Sequence, residues 1–304
     1  MSLSINTPLL ESLPLGRLNN TRVWMKMETM QPSGSFKIRG VGHACEQHYA
    51  RGARRFISSS GGNAGLAVAY AGRKLGVPVS VVVPESTSER TRHLLGLEGA
   101  DVKVHGKTWA EANELALSLL NDNDAFIHPF DDPLLWEGHA SMIDEVVAEG
   151  LRPDAVILSV GGGGLLAGVD EGLRRNDLNI PVFVVETEGM SSFHAALLAG
   201  HPVSLPELTG VATSLGARQV CQQAFNLASE REIISLTVSD KQAVDACLAF
   251  LDDHRTLVEP ACGASLAVLY DQKIDASGMK NVLVIVCGGS TATTTSLSLQ
   301  GFRG

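Results

Sequence analysis

The sequence predicts an α/β protein built on parallel β-sheets. Short runs of β-branched residues alternate with longer stretches of helical periodicity along the 304 residues, and this alternation is typical of βαβ units. Several runs are continuously apolar, such as Val-Ser-Val-Val-Val from Val79, as expected of parallel strands that are buried on both faces. The predicted strands cover residues 22–27, 55–59, 79–83, 102–104, 155–160, 182–186, 233–238 and 282–287.

Helix start signals separate these strands. Ser86 and Glu89 have the spacing of a capping box, and Ser239 and Gln242 repeat that spacing before a helix predicted to continue through Asp252. The sequence shows no long linker, low-complexity tract or internal repeat, so the whole chain is assigned to the α/β fold.

Three glycine-rich segments follow predicted strands. Gly61-Gly62-Asn63-Ala64-Gly65 comes after the strand that ends near residue 59, and Cys287-Gly288-Gly289-Ser290 ends the last strand. The third segment is the run of four glycines at residues 161–164, which opens a helix predicted through Arg174. Open α/β sheets bind ligands at the carboxyl ends of their strands, so all three segments are candidate ligand sites.

Lys37 stands where a surface charge is out of place. It opens a predicted helix directly after the turn Pro32-Ser33-Gly34-Ser35, and cations are disfavoured at a helix N-terminus. The same position lowers the cost of losing the proton, and an unprotonated amine is what Schiff-base chemistry requires. An exposed lysine at a loop edge is the alternative interpretation.

The four glycines predict a phosphate site, because bare backbone N–H groups around a helix N-terminus bind anions. Gly162, Gly164 and Ala167 also satisfy the dinucleotide pattern G-x-G-x-x-A, and Glu186 ends the next strand where a ribose-binding acid belongs. A nicotinamide oxidoreductase is therefore a rival interpretation. It leaves about 150 preceding residues, including Lys37 and Asn63, without a role.

Composition excludes several other classes. A formal net charge of -9 argues against a nucleic-acid partner. No apolar run approaches the ~20 residues of a membrane span, and the N-terminus lacks the features of a secretion signal. The five cysteines are dispersed without a C-x-x-C pair, which favours a cytoplasmic protein over a disulfide framework or a zinc knuckle.

The ordered motifs resemble one family. Ser35-Phe36-Lys37, Ser60-Gly61-Gly62-Asn63-Ala64-Gly65, the four glycines and Cys287-Gly288-Gly289 occur in the order found in fold type II enzymes of pyridoxal phosphate, the tryptophan synthase β-like fold. Within that group the chain is similar to the serine/threonine dehydratases, including the eukaryote-type L-serine dehydratase and serine dehydratase-like proteins. The stretch Val258-Glu259-Pro260-Ala261-Cys262-Gly263-Ala264 belongs to the same likeness.

The resemblance implies two open parallel-sheet domains flanked by helices, with pyridoxal 5'-phosphate in the cleft between them. A small domain is expected at residues 37–139, and a large domain at residues 1–36 and 140–304. Lys37 would hold the cofactor as a Schiff base and then act as the base at the substrate Cα. The resemblance also implies cofactor contacts from Phe36, Asn63, Gly161, Gly162, Gly163, Gly164 and Cys287.

Other roles follow from the same resemblance. Ser60, Gly61 and Asn63 would bind the substrate carboxylate, and a Cys287 thiol at the pyridine nitrogen would favour elimination over transamination. Glu186, the Ser192 hydroxyl and backbone carbonyls near Met190, Leu215 and Ala217 resemble a site for a monovalent cation such as K⁺. A buried hydrogen-bond network around Glu186 is the alternative, and a homodimer is expected.

The implied reaction is the α,β-elimination of water from L-serine and L-threonine, which gives pyruvate or 2-oxobutanoate and ammonia. A serine racemase or a β-replacing synthase of the same fold is the alternative, because it would share the lysine and the glycine loops. Two positions depart from the family pattern. Gly61 stands where the liver-type enzyme carries alanine, and Ser214 stands where alanine is expected beside the cofactor, so substrate preference stays open.

Overall fold

The computed structural model describes residues 2–290 and 292–301 and contains two separate β-sheets. The strands of this part of the chain are β1 (Leu9–Ser12), β2 (Arg22–Lys26), β3 (Arg55–Ser58), β4 (Val79–Val83), β5 (Asp101–Val104), β6 (Asp124–Phe126), β7 (Ala155–Ser159), β8 (Val182–Thr187), β9 (Ile233–Val238) and β10 (Asn281–Ile285). The predicted α/β class with two parallel sheets is therefore confirmed.

Helices connect the strands and cover the sheets. They are α1 (Leu13–Asn19), α2 (Lys37–Ala50), α3 (Asn63–Leu75), α4 (Glu89–Leu97), α5 (Trp109–Ser118), α6 (Pro133–Ala148), α7 (Gly164–Arg175), α8 (Ser192–Ala199), α9 (Gln222–Glu230), α10 (Asp240–His254), α11 (Pro260–Tyr270) and α12 (Thr294–Gly301). Single 3₁₀ turns lie at Glu28–Met30 and Thr213–Leu215. None of the helices in the described ranges is long and apolar enough to cross a bilayer.

The larger sheet has six strands in the order β1-β2-β10-β7-β8-β9, and the smaller has four in the order β5-β4-β3-β6. Every pairing is parallel except that of β1 with β2. The four-stranded sheet comes entirely from residues 55–126, within the predicted small domain. The predicted boundary at residues 139 and 140 falls inside α6, and residues 302–304 of the predicted large domain lie outside the described residues. The domain limits stay a prediction.

Each sheet has its own hydrophobic core. Strands β7, β8 and β10 of the larger sheet are almost completely buried, and α11 packs against them with nearly every residue buried. Two smaller clusters cover the four-stranded sheet, one around Phe56 and one around Ile57. Successive residues of β3 point to opposite faces, so their separate clusters show that helices cover this sheet on both sides.

The structure corrects two details of the sequence prediction. Helix α4 is capped by Ser88, whose hydroxyl accepts the Thr91 amide, so the capping box predicted from Ser86 to Glu89 is wrong. The capping box at Ser239 and Gln242 is confirmed. Strands β1 and β6, of four and three residues, were missed because they contain no Val, Ile or Thr.

Helix α2 crosses α6 at close range, and its start lies at the carboxyl end of β10 in the larger sheet, where the Phe36 amide donates to the Cys287 carbonyl. A Cβ on Gly40 would lie 2.5 Å from the Leu135 carbonyl oxygen, so the two backbones meet where only glycine fits. A buried cluster of charges adds to this contact: the Arg39 guanidinium binds Glu28 at 2.7 Å and Glu145 at 2.7 Å. These contacts fix the position of Lys37, two residues before Arg39.

Candidate active site

Lys37 is the first residue of α2, and its amine lies between Pro129, which follows β6 of the smaller sheet, and Cys287, which follows β10 of the larger one. We call the region between these segments the cleft. The Nζ atom donates a hydrogen bond to the Pro129 carbonyl oxygen at 2.6 Å. Burial lowers the pKa of the amine to about 8, against the opposing influence of Cys287 and Glu259, which favour the charged form. A substantial fraction of the amine is therefore unprotonated at neutral to mildly alkaline pH, as nucleophilic chemistry requires.

A neutral histidine packs behind the lysine. The His139 ring lies 4.9 Å from the Phe36 ring, and its Nδ1 accepts the Gly40 amide hydrogen at 3.1 Å, so Nε2 carries the proton. Burial, together with Lys37 and Arg39, lowers the pKa of His139 well below its usual value. This side chain therefore fills space beside Lys37 without adding positive charge.

The four glycines form a loop between β7 and α7. Among the described residues, no hydrogen bond is donated by the amides of Gly161, Gly162, Gly163 or Gly164, although Gly163 and Gly164 are buried. Gly163 has a φ of 97°, which favours glycine. Buried N–H groups need an acceptor, and these two, with the partly exposed amides of Gly161 and Gly162 beside them at a helix N-terminus, provide the geometry of an anion site.

The segment before α6 connects this loop to Lys37. The Phe130 ring packs directly on Gly162, in the space that a side chain at that position would need, and Trp136 Nε1 donates to the Phe130 carbonyl at 2.9 Å. The neighbouring Pro129 carbonyl is the acceptor for Lys37. The lysine and the glycine loop therefore contact adjacent residues of one segment, Pro129 and Phe130, which sequence reasoning missed.

Asn63 reaches across the cleft from α3 to the larger sheet. It is the first residue of α3, with Gly62 as N-cap, and its side chain does not cap the helix. Its Nδ2 donates to Glu259 Oε1 at 2.7 Å and lies 3.4 Å from Ser214 Oγ, while the Ser290 hydroxyl donates to its Oδ1. The first turn of a small-sheet helix is thus connected to three segments of the large-sheet half.

The loop before Asn63 is partly open to the cleft. Ser60 Oγ accepts the Gly62 amide at 3.3 Å, and both residues are partly exposed. A Cβ on Gly61 would lie 2.8 Å from Thr87 Oγ1 and 3.2 Å from a methyl group of Val83. Glycine at position 61 therefore accommodates the Thr87 side chain, and an alanine would require that side chain to move.

Cys287 closes the site from the end of β10. Its carbonyl accepts the Phe36 amide at 2.9 Å, which connects the last strand to the residue before Lys37. A hydrogen bond with the Cys262 side chain and burial both raise the pKa of the Cys287 thiol well above its usual value. The thiol is therefore neutral, as the sequence analysis expected of a weakly acidic group in this place.

Glu186 is fully buried at the end of β8. Its two carboxylate oxygens accept the amides of Phe193 and His194 at 2.8 Å each, which caps the start of α8. Burial raises the pKa of Glu186 to about 7, although those two amides act to lower it. The carboxylate is occupied by helix amides, so it does not extend toward a ribose, and the dinucleotide interpretation loses its second support.

The other residues predicted to bind a cation lie near Glu186. The Ser192 hydroxyl donates to the Gly161 carbonyl at 3.4 Å, and a Cβ on Gly161 would lie 3.0 Å from the Leu215 oxygen. The Leu215 carbonyl accepts the Ala217 amide at 2.7 Å, and Met190 pairs with Thr187 in an isolated bridge. Hydrogen bonds already engage several of these groups, so the cation site stays a prediction.

The predicted motifs therefore converge on one cleft, and comparisons with known proteins show the family of the chain. A model of the pyridoxal-phosphate dependent enzymes matches residues 2–288. The chain belongs to this family. Within the family, the chain is 48% identical to the serine dehydratase-like protein of Mus musculus, over 96% of this chain and 92% of the relative.

Two further relatives agree with this placement. The L-serine dehydratase/L-threonine deaminase of Homo sapiens is 48% identical, over 97% of this chain and 94% of the relative. A crystal structure of a fungal L-serine ammonia-lyase from Rhizomucor miehei superposes with a TM-score of 0.95 at 35% identity, covering 100% of this chain and 99% of that one. The fold is therefore the fold type II predicted from the sequence.

Pyridoxal phosphate is the cofactor of this family, and the residues present fit it. The unpaired amides of the glycine loop suit its phosphate, and the pKa of about 8 at Lys37 suits covalent attachment of its aldehyde. The neutral Cys287 thiol suits a site for an uncharged ring nitrogen. Family members of this kind use the bound cofactor to stabilise negative charge at the substrate Cα.

Sequence reasoning missed several residues of this cleft. Glu259 lay in a motif that was recognised, but nothing in the pattern indicated that its carboxylate would turn toward Asn63. Pro129 and Phe130 follow strand β6, which was itself missed. The signal that could have found them is the sequence Asp131-Asp132-Pro133, a helix start directly after a short apolar run.

Proposed function

We propose that the protein removes water from L-serine, and from L-threonine, to give pyruvate or 2-oxobutanoate and ammonia. The observation that carries this proposal is a lysine amine with a pKa of about 8, joined through one segment to a loop of four unpaired amides. A sequence identity of 48% over 97% of this chain with a relative named L-serine dehydratase/L-threonine deaminase supports the choice of substrate.

In the proposed reaction Lys37 has two roles. It holds the cofactor between turnovers, and during turnover its free amine takes the proton from the substrate Cα. The Pro129 carbonyl, 2.6 Å from Nζ, offers the amine an acceptor when it is not covalently engaged. The β-hydroxyl leaves as water, and later hydrolysis consumes one water, so the net products are the keto acid and ammonia.

We assign the substrate carboxylate to the loop of Ser60, Gly61 and Asn63. Amides and a hydroxyl at the start of α3 are suitable donors to an anion, and the partial exposure of the loop leaves it accessible. Phe36 and Cys287 are proposed to contact the cofactor ring, and Gly161, Gly162, Gly163 and Gly164 its phosphate. The Ser214 hydroxyl, exposed in the cleft, would add a polar group beside this site.

Three further proposals concern a bound cation, the oligomeric state and the cellular location of the enzyme. Glu186, Ser192 and the carbonyls of Met190, Leu215 and Ala217 would bind a monovalent cation such as K⁺. A homodimer is supported by Leu10, Leu13 and Leu18, which are 43%, 65% and 42% exposed on or beside the edge strand β1. A cytoplasmic location is supported by five free cysteine thiols.

The test is product analysis with the purified protein and pyridoxal phosphate. L-Serine should yield equal amounts of pyruvate and ammonia, and L-threonine should yield 2-oxobutanoate. Chiral analysis of the remaining serine separates this from a racemase, which would produce D-serine in excess of pyruvate. Added thiol or sulfide should not divert the product to a substituted amino acid, as it would in a β-replacing synthase. Absence of keto acid with a fully loaded protein would refute the proposal.

A further inference from the structure

Glu259 is a buried carboxylate that faces the cleft. It is 3% exposed and occupies the N-cap position of α11, yet its side chain does not cap that helix. Instead its Oε1 accepts a hydrogen bond from Asn63 Nδ2 at 2.7 Å. The carboxylate also acts to raise the pKa of the Lys37 amine and the pKa of the Cys287 thiol. It therefore lies close enough to both groups to act on them electrostatically.

This contact determines which end of the Asn63 amide faces which neighbour. The Oε1 atom of Glu259 accepts in this contact, so the group that faces it is the NH₂ and not the carbonyl. On the other side of the amide, the Ser290 hydroxyl donates to Oδ1. The carboxylate therefore excludes the flipped orientation, which would put two acceptors together at Glu259, and the Ser290 hydroxyl suits the observed one as a donor.

The second hydrogen of the same NH₂ group is left for the cleft. Its nearest described acceptor is Ser214 Oγ, at 3.4 Å, near the upper limit for a hydrogen bond. Ser214 is exposed in the cleft, whereas Asn63 is only 8% exposed. An acceptor that enters the cleft beside Lys37 would therefore meet an N–H donor already aimed at it.

We propose that Glu259 is a positioning residue that fixes the Asn63 amide so that its NH₂ group donates into the cleft, toward an anionic oxygen of the cofactor. The inference rests on the proposed function for the identity of that oxygen, but the orientation of Asn63 does not. Preorganised donors of this kind contribute more than donors that must reorient on binding. Glu259 would therefore act through Asn63 and make no contact with the substrate itself.

The orientation is measurable in the cofactor-free protein. Side-chain ¹⁵N–¹H spectra of asparagine-labelled protein should show two well-separated Asn63 amide protons, assigned by their loss in Asn63→Asp. One of them, bonded to the carboxylate, should exchange with solvent at least about tenfold more slowly than those of the exposed Asn123. Equal exchange at both sites in the unmodified protein would overturn the proposal without any Glu259 variant.

Two variants separate positioning from a simple charge effect. Glu259→Gln keeps the shape and removes the charge, and its amide can pair with Asn63 in either orientation. Glu259→Asp keeps the charge and withdraws the carboxylate by one methylene. Positioning predicts that both variants bring the two Asn63 proton signals together and raise the dissociation constant for pyridoxal phosphate by about three- to tenfold, the value of one hydrogen bond.

Other outcomes would contradict the inference. If Glu259→Asp keeps the Asn63 signals and the cofactor affinity of the unmodified protein while Glu259→Gln changes both, only the charge of residue 259 matters. Unchanged Asn63 signals in both variants would mean that Glu259 does not orient the amide.

The matched control is Asp170→Asn on α7, which changes a buried carboxylate paired with Arg231 at 2.5 Å. It should lower thermal stability and leave the Asn63 signals and cofactor affinity unchanged. If the signals behave as expected but no keto acid forms, the proposed function fails and the inference stands.

Discussion

Lys26 and Lys37 are both enclosed lysines, eleven positions apart, but their surroundings differ. Lys26, fully buried in β2, lies 2.7 Å from Glu145 and donates to the Thr7 carbonyl at 2.8 Å. Lys37 donates to the Pro129 carbonyl, and no described carboxylate forms an ion pair with it. The same type of side chain therefore forms an ion pair in one region and is a candidate nucleophile in the other.

Burial alone therefore does not make a lysine reactive. A carboxylate within hydrogen-bond distance keeps a buried amine charged, because the ion pair offsets the loss of hydration. At Lys37 the hydrogen-bond acceptor among the described residues is a neutral carbonyl, and the neighbouring His139 is uncharged. Desolvation therefore prevails there, and the pKa falls to about 8.

The largest expected effect is on catalysis at Lys37. Lys37→Ala removes both the point of cofactor attachment and the proposed base, so keto-acid formation from L-serine should fall by at least about a thousandfold. The visible absorption of the bound cofactor should be lost at the same time. Lys26→Met serves as the comparison and should retain both properties at a temperature where it is folded. Retained activity in Lys37→Ala would contradict the assignment.

Next in size is the effect of Lys26 on stability. Lys26→Met leaves Glu145 with one fewer partner in a cluster of buried charges, and we expect the free energy of unfolding to fall by about 3 kcal/mol. Chemical denaturation of the cofactor-free protein measures this. Lys37→Met should change the same quantity far less, since it removes no ion pair. A larger loss of unfolding free energy in Lys37→Met than in Lys26→Met would contradict this expectation.

A smaller effect is expected at the glycine loop. Gly162→Ala places a methyl group against the Phe130 ring, so the loop has to shift and its amides lose their alignment. The affinity for pyridoxal phosphate should fall at least about tenfold by equilibrium dialysis. Gly96→Ala on α4 is the control, because a Cβ there meets nothing within 4 Å; it should leave affinity unchanged and raise stability by up to about 1 kcal/mol.

The smallest expected effect is a shift of pH dependence. Only the neutral amine reacts with an amine-selective reagent, so labelling of Lys37 in the cofactor-free protein should rise from about pH 6 and level off above the pKa of about 8. Peptide mass spectrometry follows the labelling at this one site. A rate that still increases tenfold per unit beyond about pH 9.5 would indicate an ordinary lysine with a pKa near 10.4.

Much of the fold was predictable because it rests on patterns that are local in the sequence. Continuous apolar runs such as Val79–Val83 identify buried parallel strands, and glycine loops mark where those strands end. The short strands β1 and β6 escaped because they contain no Val, Ile or Thr, whereas the equally short β3 and β5 contain such residues. The start of α4 was displaced by two residues because Ser86 and Ser88 are both plausible caps in sequence.

The site was predictable only in part. Lys37, Asn63 and the glycine loop were found through ordered motifs, but the partners that tune them were not. Glu259 is 196 positions from Asn63, and Pro129 is 92 from Lys37, so neither pairing leaves a local trace. The hydrogen bonds that cap α8 through Glu186 likewise depend on the turn between β8 and α8.

The most direct test of the account is reduction of the protein with borohydride in the presence of pyridoxal phosphate, followed by peptide mapping. We expect one covalent pyridoxyl adduct per chain, on Lys37, and none on Lys26 even though both lysines are enclosed. An adduct on any other lysine, or no adduct in a protein that forms keto acid from L-serine, would contradict the central claim that Lys37 is the cofactor-bearing residue.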